Sequence, residues 1–153
     1  LQGIYPNVHS LRDVDMNMLH SEKNHLREVV FQRCKYVVEE NGRVESACKA
    51  LKEKGLPAIG SLLYASHEGL KNEYQVSCPE LDFLVDHTPD SLNFFGARMV
   101  GGGFGGCTIN LLKKDAVEGF QTYIARKYRE KWGRDLRMWE VKITDGVGIV
   151  PSA

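Results

Sequence analysis

Gly96-Ala97-Arg98-Met99-Val100-Gly101-Gly102-Gly103-Phe104-Gly105-Gly106-Cys107-Thr108 is the stretch on which the reading of this chain turns. Five of the six positions from 101 to 106 are glycine, and the segments on either side read as strands. Glycine loses more backbone entropy on folding than any other residue and has no side chain to pack in return. A dense run inside a folded domain therefore marks a backbone that turns sharply or lies close to something. Residues 94–100 and 107–112 are the two flanking strands. Thr108-Ile109-Asn110-Leu111-Leu112 alternates polar and apolar before turning fully apolar, which suits a sheet segment.

Upstream of the glycines the pattern is helical. Residues 1–13 form an irregular lead-in ending in a short helical turn near Ser10-Leu11-Arg12-Asp13. Leu26, Val29, Val30, Val37, Val44, Ala47, Cys48 and Leu51 recur at spacings of three, four and seven, which predicts one helix over 22–54 with these residues on its buried face. Asn41-Gly42 is its only break signal, and the stripe keeps its phase across it. Gly55 reads as a C-cap and Pro57 as the first turn of a second helix over 57–72. Ile59, Leu62, Leu63 and Leu70 mark that helix's face, and Ser66 and His67 fall on the same face. Polar groups on a core-facing stripe need partners. The serine can bond back to its own helix and the histidine can be a satisfied core residue, or both can support whatever packs there. A third helix lies within 73–88, where Ser77-Cys78-Pro79-Glu80 fits a capping box.

Downstream, Val117, Phe120, Ile124 and Tyr128 predict a fourth helix over 115–132, stopped by Gly133. Arg137-Met138-Trp139-Glu140-Val141-Lys142-Ile143 alternates like a strand, Asp145-Gly146 makes a turn, and Val147 to Val150 adds a last short strand. The segregated order predicts an α+β domain, with an antiparallel sheet of about four strands covered by helices.

The totals narrow the function classes. The chain has 153 residues, which suits one domain. Lys plus Arg and Asp plus Glu each number 20, so charge points to neither a nucleic acid nor an anionic membrane. No apolar run approaches a membrane span, and residues 1–20 lack a basic start before an apolar block. Cys34, Cys48, Cys78 and Cys107 are too far apart for zinc-type pairs, and the histidines lack ligand spacing, so free thiols and no metal site are expected.

Two phosphate-loop patterns nearly fit the glycines. Gly101-x-Gly103-x-x-Gly106 spells a dinucleotide fingerprint, but that needs a helix after it, and β-like residues follow. Gly101-x4-Gly106 matches the glycines of a P-loop, but Cys107-Thr108 replaces the Lys-Ser/Thr that would meet the phosphates. What remains is either a strand-to-strand turn needing positive φ or a bare amide surface pressed on a phosphate or a second loop.

Three blocks then resemble one family. The stretch from Gly96 to Thr108 resembles the third motif of galactokinases, members of the GHMP small-molecule kinases. Ser66-His67-Glu68-Gly69-Leu70-Lys71-Asn72-Glu73-Tyr74-Gln75-Val76-Ser77-Cys78-Pro79-Glu80-Leu81-Asp82 resembles a second block, and the stretch from Arg33 to Val44 a third. Departures are mild: the family usually has Thr where Val100 stands, Ser at Gly69 and Arg at Lys71.

The resemblance implies the C-terminal, ferredoxin-like domain of such a kinase over 1–153. The sugar motif, the phosphate loop and the catalytic groups would lie in an N-terminal domain absent from this chain. It implies ATP and Mg2+ as cofactors, held mainly by that other domain, and galactose as substrate. The partners are these small molecules and the kinase's own N-terminal domain, in the cytoplasm. Gly101, Gly102, Gly103, Phe104, Gly105 and Gly106 would face the nucleotide. Ser66, His67, Ser77 and Cys107 would support the loop, and no residue here is assigned as base or nucleophile. A related kinase with another small substrate, or a kinase-like sensor of ATP and sugar that regulates a partner, shares these features.

Overall fold

A computed structural model describes residues 3–53 and 55–142 together with Gly146 and Gly148. A 3-10 turn, Leu11–Asp13, is closed by a reciprocal capping box. The Ser10 hydroxyl accepts the Arg12 amide, and the Asp13 carboxylate accepts the Ser10 amide. Helix α1, Met16–Ser21, is capped by Asp15, which accepts the Met18 amide at 2.9 Å. Val8, Val14, Leu19 and Phe31 bury one another, so this lead-in is packed onto the start of the next helix.

Helix α2 runs from Glu28 to Lys52 without interruption. Gly42 sits inside it with nothing within 4 Å of where a side chain would begin, so its cost is conformational alone. The helix starts six residues later than the sequence pattern predicts, because Lys23–His25 form a separate 3-10 turn and Leu26 is extended. Its buried residues are Phe31, Tyr36 and Ala50, whereas Val44, Cys48 and Leu51 of the predicted stripe are exposed. Period identifies a set of faces. The neighbours select one, and Tyr36 is selected because Gly69 of the next helix leaves room for its ring.

Helix α3, Leu56–Asn72, has Pro57 in its first turn. Gly55 is its N-cap at φ −82°, not the left-handed C-cap of α2. Helix α4 spans Pro79–Asp86 and buries Leu81 and Val85. Strands β1, Phe94–Val100, and β2, Cys107–Leu112, pair antiparallel with Val100 opposite Cys107 and Arg98 opposite Ile109. A 3-10 turn leads into helix α5, Val117–Trp132, which ends on left-handed Gly133. Phe120 of α5 packs on Phe94 of β1, with ring centroids 4.9 Å apart.

The tightest approach at any described glycine joins α3 to β1. A Cβ on Gly60 would lie 1.9 Å from the Phe95 carbonyl oxygen, and one on Gly96 would lie 2.3 Å from the Gly60 oxygen. The two backbones touch there, and this seats α3 against β1.

The architecture is α+β, with a two-stranded antiparallel sheet and five α-helices among the described residues. The strand expected over 137–143 is not formed at 137–142, where Trp139 and Val141 are 69% and 73% exposed. Alternation sorts side chains between two faces once a ladder exists, but it supplies no partner strand. The expected turn and last strand fall mostly outside the described residues. No described helix is long and apolar enough to cross a membrane.

Candidate functional site

The glycine run is the connection between β1 and β2. Gly101, Gly103, Gly105 and Gly106 all have positive φ, at 96°, 91°, 143° and 107°. Four of the five glycines are thus in backbone regions that L side chains rarely adopt. Gly103 has a second constraint, since a Cβ there would sit 2.3 Å from the Val76 carbonyl oxygen. The next residue closes the contact: the Phe104 amide donates to that same oxygen at 2.7 Å. The Phe104 ring points outward, 76% exposed. Gly101, Gly102 and Gly105 have nothing within 4 Å of a would-be Cβ. The loop is pinned at 103–104 and bare on either side. Of the six predicted nucleotide-facing residues, Phe104 has its amide already engaged.

Beneath the loop lies His67, fully buried. The Met99 amide donates to its Nδ1 at 3.2 Å. That leaves the imidazole proton on Nε2, which lies 3.3 Å from Asp82 Oδ1 but without hydrogen-bond alignment. The same Asp82 oxygen accepts the Ser77 hydroxyl at 2.5 Å. The carboxylate thus stands between serine and histidine, so these three side chains do not form a nucleophilic triad. The predicted capping box at Ser77 is not formed. Cys78 is the N-cap and makes no side-chain cap bond, so Ser77 lies one residue too early and turns to Asp82, while Glu80 meets Arg134 at 3.2 Å. Cys107, the exposed first residue of β2, stands opposite Val100 where the loop leaves the strands.

Burial pushes the His67 pKa below the ordinary 6.5, against the opposing charge of Asp82. The folded state therefore binds this proton less readily than the unfolded chain, and stability falls as pH drops below about 6.5. Denaturant unfolding at pH 7.5 and 5.5 checks this. His67→Asn, which places an amide oxygen near the Nδ1 position, is expected to show a smaller acid loss than the parent. An equal loss in both assigns the dependence to other groups.

Ser66 does not bond back to its own helix. Its hydroxyl donates to Glu40 Oε1 of α2 at 2.6 Å. Arg98 of β1 reaches the same oxygen from Nη1 at 2.9 Å, and Arg43 Nε reaches Oε2 at 2.6 Å. Arg98 Nε also donates to the Met99 carbonyl at 3.0 Å. Glu40 therefore ties α2, α3 and β1 together beside the loop's first strand. Sequence reading missed it. The available signal was Arg98, the lone charge in an otherwise apolar strand, since a charge there needs a counter-ion.

Burial pushes the Glu40 carboxyl up, but the Ser66 hydroxyl, Arg43 and Arg98 outweigh it and hold the pKa below the usual 4.5. A depressed carboxyl contributes stability above its unfolded pKa and loses it as pH falls through the folded one. Glu40→Gln is expected to cost about 1–3 kcal/mol near neutral pH, as for a broken hydrogen bond to a charged partner, and to flatten the stability loss below about pH 4.5. Urea titrations of both proteins from pH 7 to 3.5 measure this.

Among the described residues, no group of three or more His, Cys, Asp or Glu side chains is placed to hold a metal ion. The four cysteines are free.

Comparison with known proteins gives a consistent picture. The family model described as GHMP kinases C terminal matches residues 47–130. A galactokinase of Roseiflexus sp. (strain RS-1) is 37% identical over 150 residues, 98% of this chain and 38% of that protein. One from Thermotoga maritima is 42% identical over 138 residues, 90% of this chain and 38% of that protein. Among solved structures, Lactococcus lactis galactokinase complexed with galactose superposes with a TM-score of 0.79 at 34% identity, over 84% of this chain and 34% of that one. The chain thus spans a little over a third of the length of these relatives. The family model covers more than half of the chain, including α3, α4, both strands and the glycine loop, and the chain belongs to the GHMP kinases, of which it carries the C-terminal family domain.

Proposed function

We propose that this chain is the C-terminal part of a galactokinase, which transfers the γ-phosphoryl group of ATP to the anomeric hydroxyl of galactose. Similarity to a galactokinase along 98% of the chain is the observation that carries this reading. When bound, ATP supplies the phosphoryl group and Mg2+ its counter-charge. Such transfer depends mainly on positioning and charge stabilisation. The role of this chain is to present the bare backbone of Gly101, Gly102 and Gly105 at the interface with an N-terminal domain. That domain holds the nucleotide, the metal and the catalytic groups. Gly103, Phe104 and Gly106 set the loop's path, and Ser66, His67, Ser77 and Cys107 support it. No side chain of residues 1–153 serves as base or nucleophile, and the enzyme works in the cytoplasm.

A coupled ADP-release assay with a panel of sugars tests this in the full-length protein. Galactose is expected to be the preferred acceptor, and the 153-residue chain alone is expected to turn over none. A different preferred substrate overturns the specificity, and a full-length protein that binds ATP and sugar without turnover is a sensor. Turnover by the chain alone overturns the placement of the catalytic groups.

A further inference from the structure

Gln75 and Phe104 are the two non-glycine residues with positive φ among the described residues, at 60° and 58°. They flank a single hydrogen bond, from the Phe104 amide to the Val76 carbonyl. Strained backbone persists only where the surroundings over-determine it, and it gathers at sites that need a set geometry.

The origin of the turn is local. The Tyr74 amide bonds to the Gly69 carbonyl at 2.9 Å, and the Val76 amide to the Leu70 carbonyl at 3.0 Å. The Tyr74–Gly69 bond spans six residues and ends α3 with Glu73 right-handed, whereas the left-handed residue stands before the donor of the wider, seven-residue Leu70–Val76 bond, a place where glycine would be at ease. Here Gln75 takes that place, with its side chain exposed. The turn directs the Val76 carbonyl onto the loop's tip, against Gly103 and Phe104. The next residue, Ser77, bonds to Asp82, which lies beside His67, and His67 accepts the Met99 amide two residues before the loop. Three consecutive residues therefore hold the glycine loop at tip and base.

We propose that Gln75-Val76-Ser77 is a clamp that sets the position of the glycine loop, with Gln75 and Asp82 as positioning residues for phosphoryl transfer. The tip arm runs through the backbone of Val76. The base arm runs from the Ser77–Asp82 hydrogen bond, through the Asp82 charge 3.3 Å from His67 Nε2 with no hydrogen bond between them, to the Met99 amide on His67 Nδ1. The inference rests on the kinase reading for its consequence in turnover, but the clamp itself can be read without it.

The test combines amide hydrogen exchange with steady-state kinetics on the full-length protein. A β-branched residue is an outlier in the left-handed region, whereas glycine is at ease there. Gln75→Val is expected to speed exchange at the Phe104 amide about tenfold and to lower kcat by a similar factor. The KM for galactose should stay within about twofold, since the proposed function puts the sugar motif in the other domain. Gln75→Gly is expected to match the parent in both readouts. Ser77→Ala leaves the backbone alone and is expected to speed exchange at Met99 with a lower kcat, leaving Phe104 protected. It decides the question if Gln75→Val does not fold. Parental exchange at both amides in these variants overturns the clamp. Faster exchange with unchanged kcat overturns the positioning role, and Gln75→Gly as damaging as Gln75→Val overturns the part given to left-handed backbone. A parent protein without turnover on any sugar overturns the kinase reading, and the exchange arm then decides the clamp by itself.

Discussion

Gly103→Val in the full-length protein is expected to cut kcat/KM by about 100-fold or more, equivalent to about 2.7 kcal/mol of lost transition-state stabilisation. Two constraints meet at this residue. Its φ of 91° is hostile to a β-branched side chain, and its Cβ would lie 2.3 Å from the Val76 carbonyl oxygen. The obstacle is backbone, so relief comes by moving the loop or the 75–77 turn. Either movement breaks the bond that holds the Phe104 amide. The loop's glycines otherwise bury little, so the melting temperature should fall by only a few degrees. Activity and melting measured on the same preparation separate the alternatives. If turnover falls only in step with the unfolded fraction, the loop is a structural turn and nothing more.

Gly60→Ala is expected to be the most damaging small substitution for stability. The added methyl would lie 1.9 Å from the Phe95 carbonyl oxygen and 2.3 Å from its carbon. Overpacking a core costs about 1–3 kcal/mol, and a rigid backbone neighbour puts this case at or above the upper end. The better helix propensity of alanine returns about 1 kcal/mol. The net expectation is a loss of about 2–3 kcal/mol, seen as a lower denaturation midpoint with an unchanged slope. Gly42→Ala is the internal control. It also replaces a glycine inside a helix, but nothing lies within 4 Å of its Cβ. It should gain up to about 1 kcal/mol. Equal effects of the two substitutions would mean that α3 and β1 do not touch at Gly60 and Gly96. Because α3 carries Ser66 and His67, Gly60→Ala should also disturb the loop from below.

Much of this arrangement is legible in the chain. The strands flanking the glycines lie at 94–100 and 107–112 as their pattern predicts, and α2 passes through Asn41-Gly42 as expected, although the stripe residues Val44, Cys48 and Leu51 beyond it are exposed. The helix before Gly133 ends where the sequence places it. Periodicity carries these elements because it records how one segment divides its own faces. It says nothing of a partner, and so the alternation over 137–142 misleads. It also ranks Val44 and Leu51 with the core although both are exposed, while Tyr36 is buried against Gly69. The site divides in the same way. His67 and Ser66 stand out as polar residues on an apolar stripe. Their partners, Met99 and Glu40, are 32 and 26 residues away, and no local signal names them.

By itself, the sequence determined that residues 101–106 form a glycine-rich turn between two strands, since glycine adopts positive φ at little cost and does so at four of these positions, Phe104 being the one other residue there that does. It also determined the family, through blocks whose residues sit in the right order along the chain. The tertiary structure alone decided what the turn rests on. Val76 meets its tip, His67 holds its base and Glu40 anchors the strand before it, through residues that are distant in sequence. Those contacts exist because Gly60 and Gly96 let a helix and a strand approach to backbone contact, and a glycine in a sequence does not say what it makes room for.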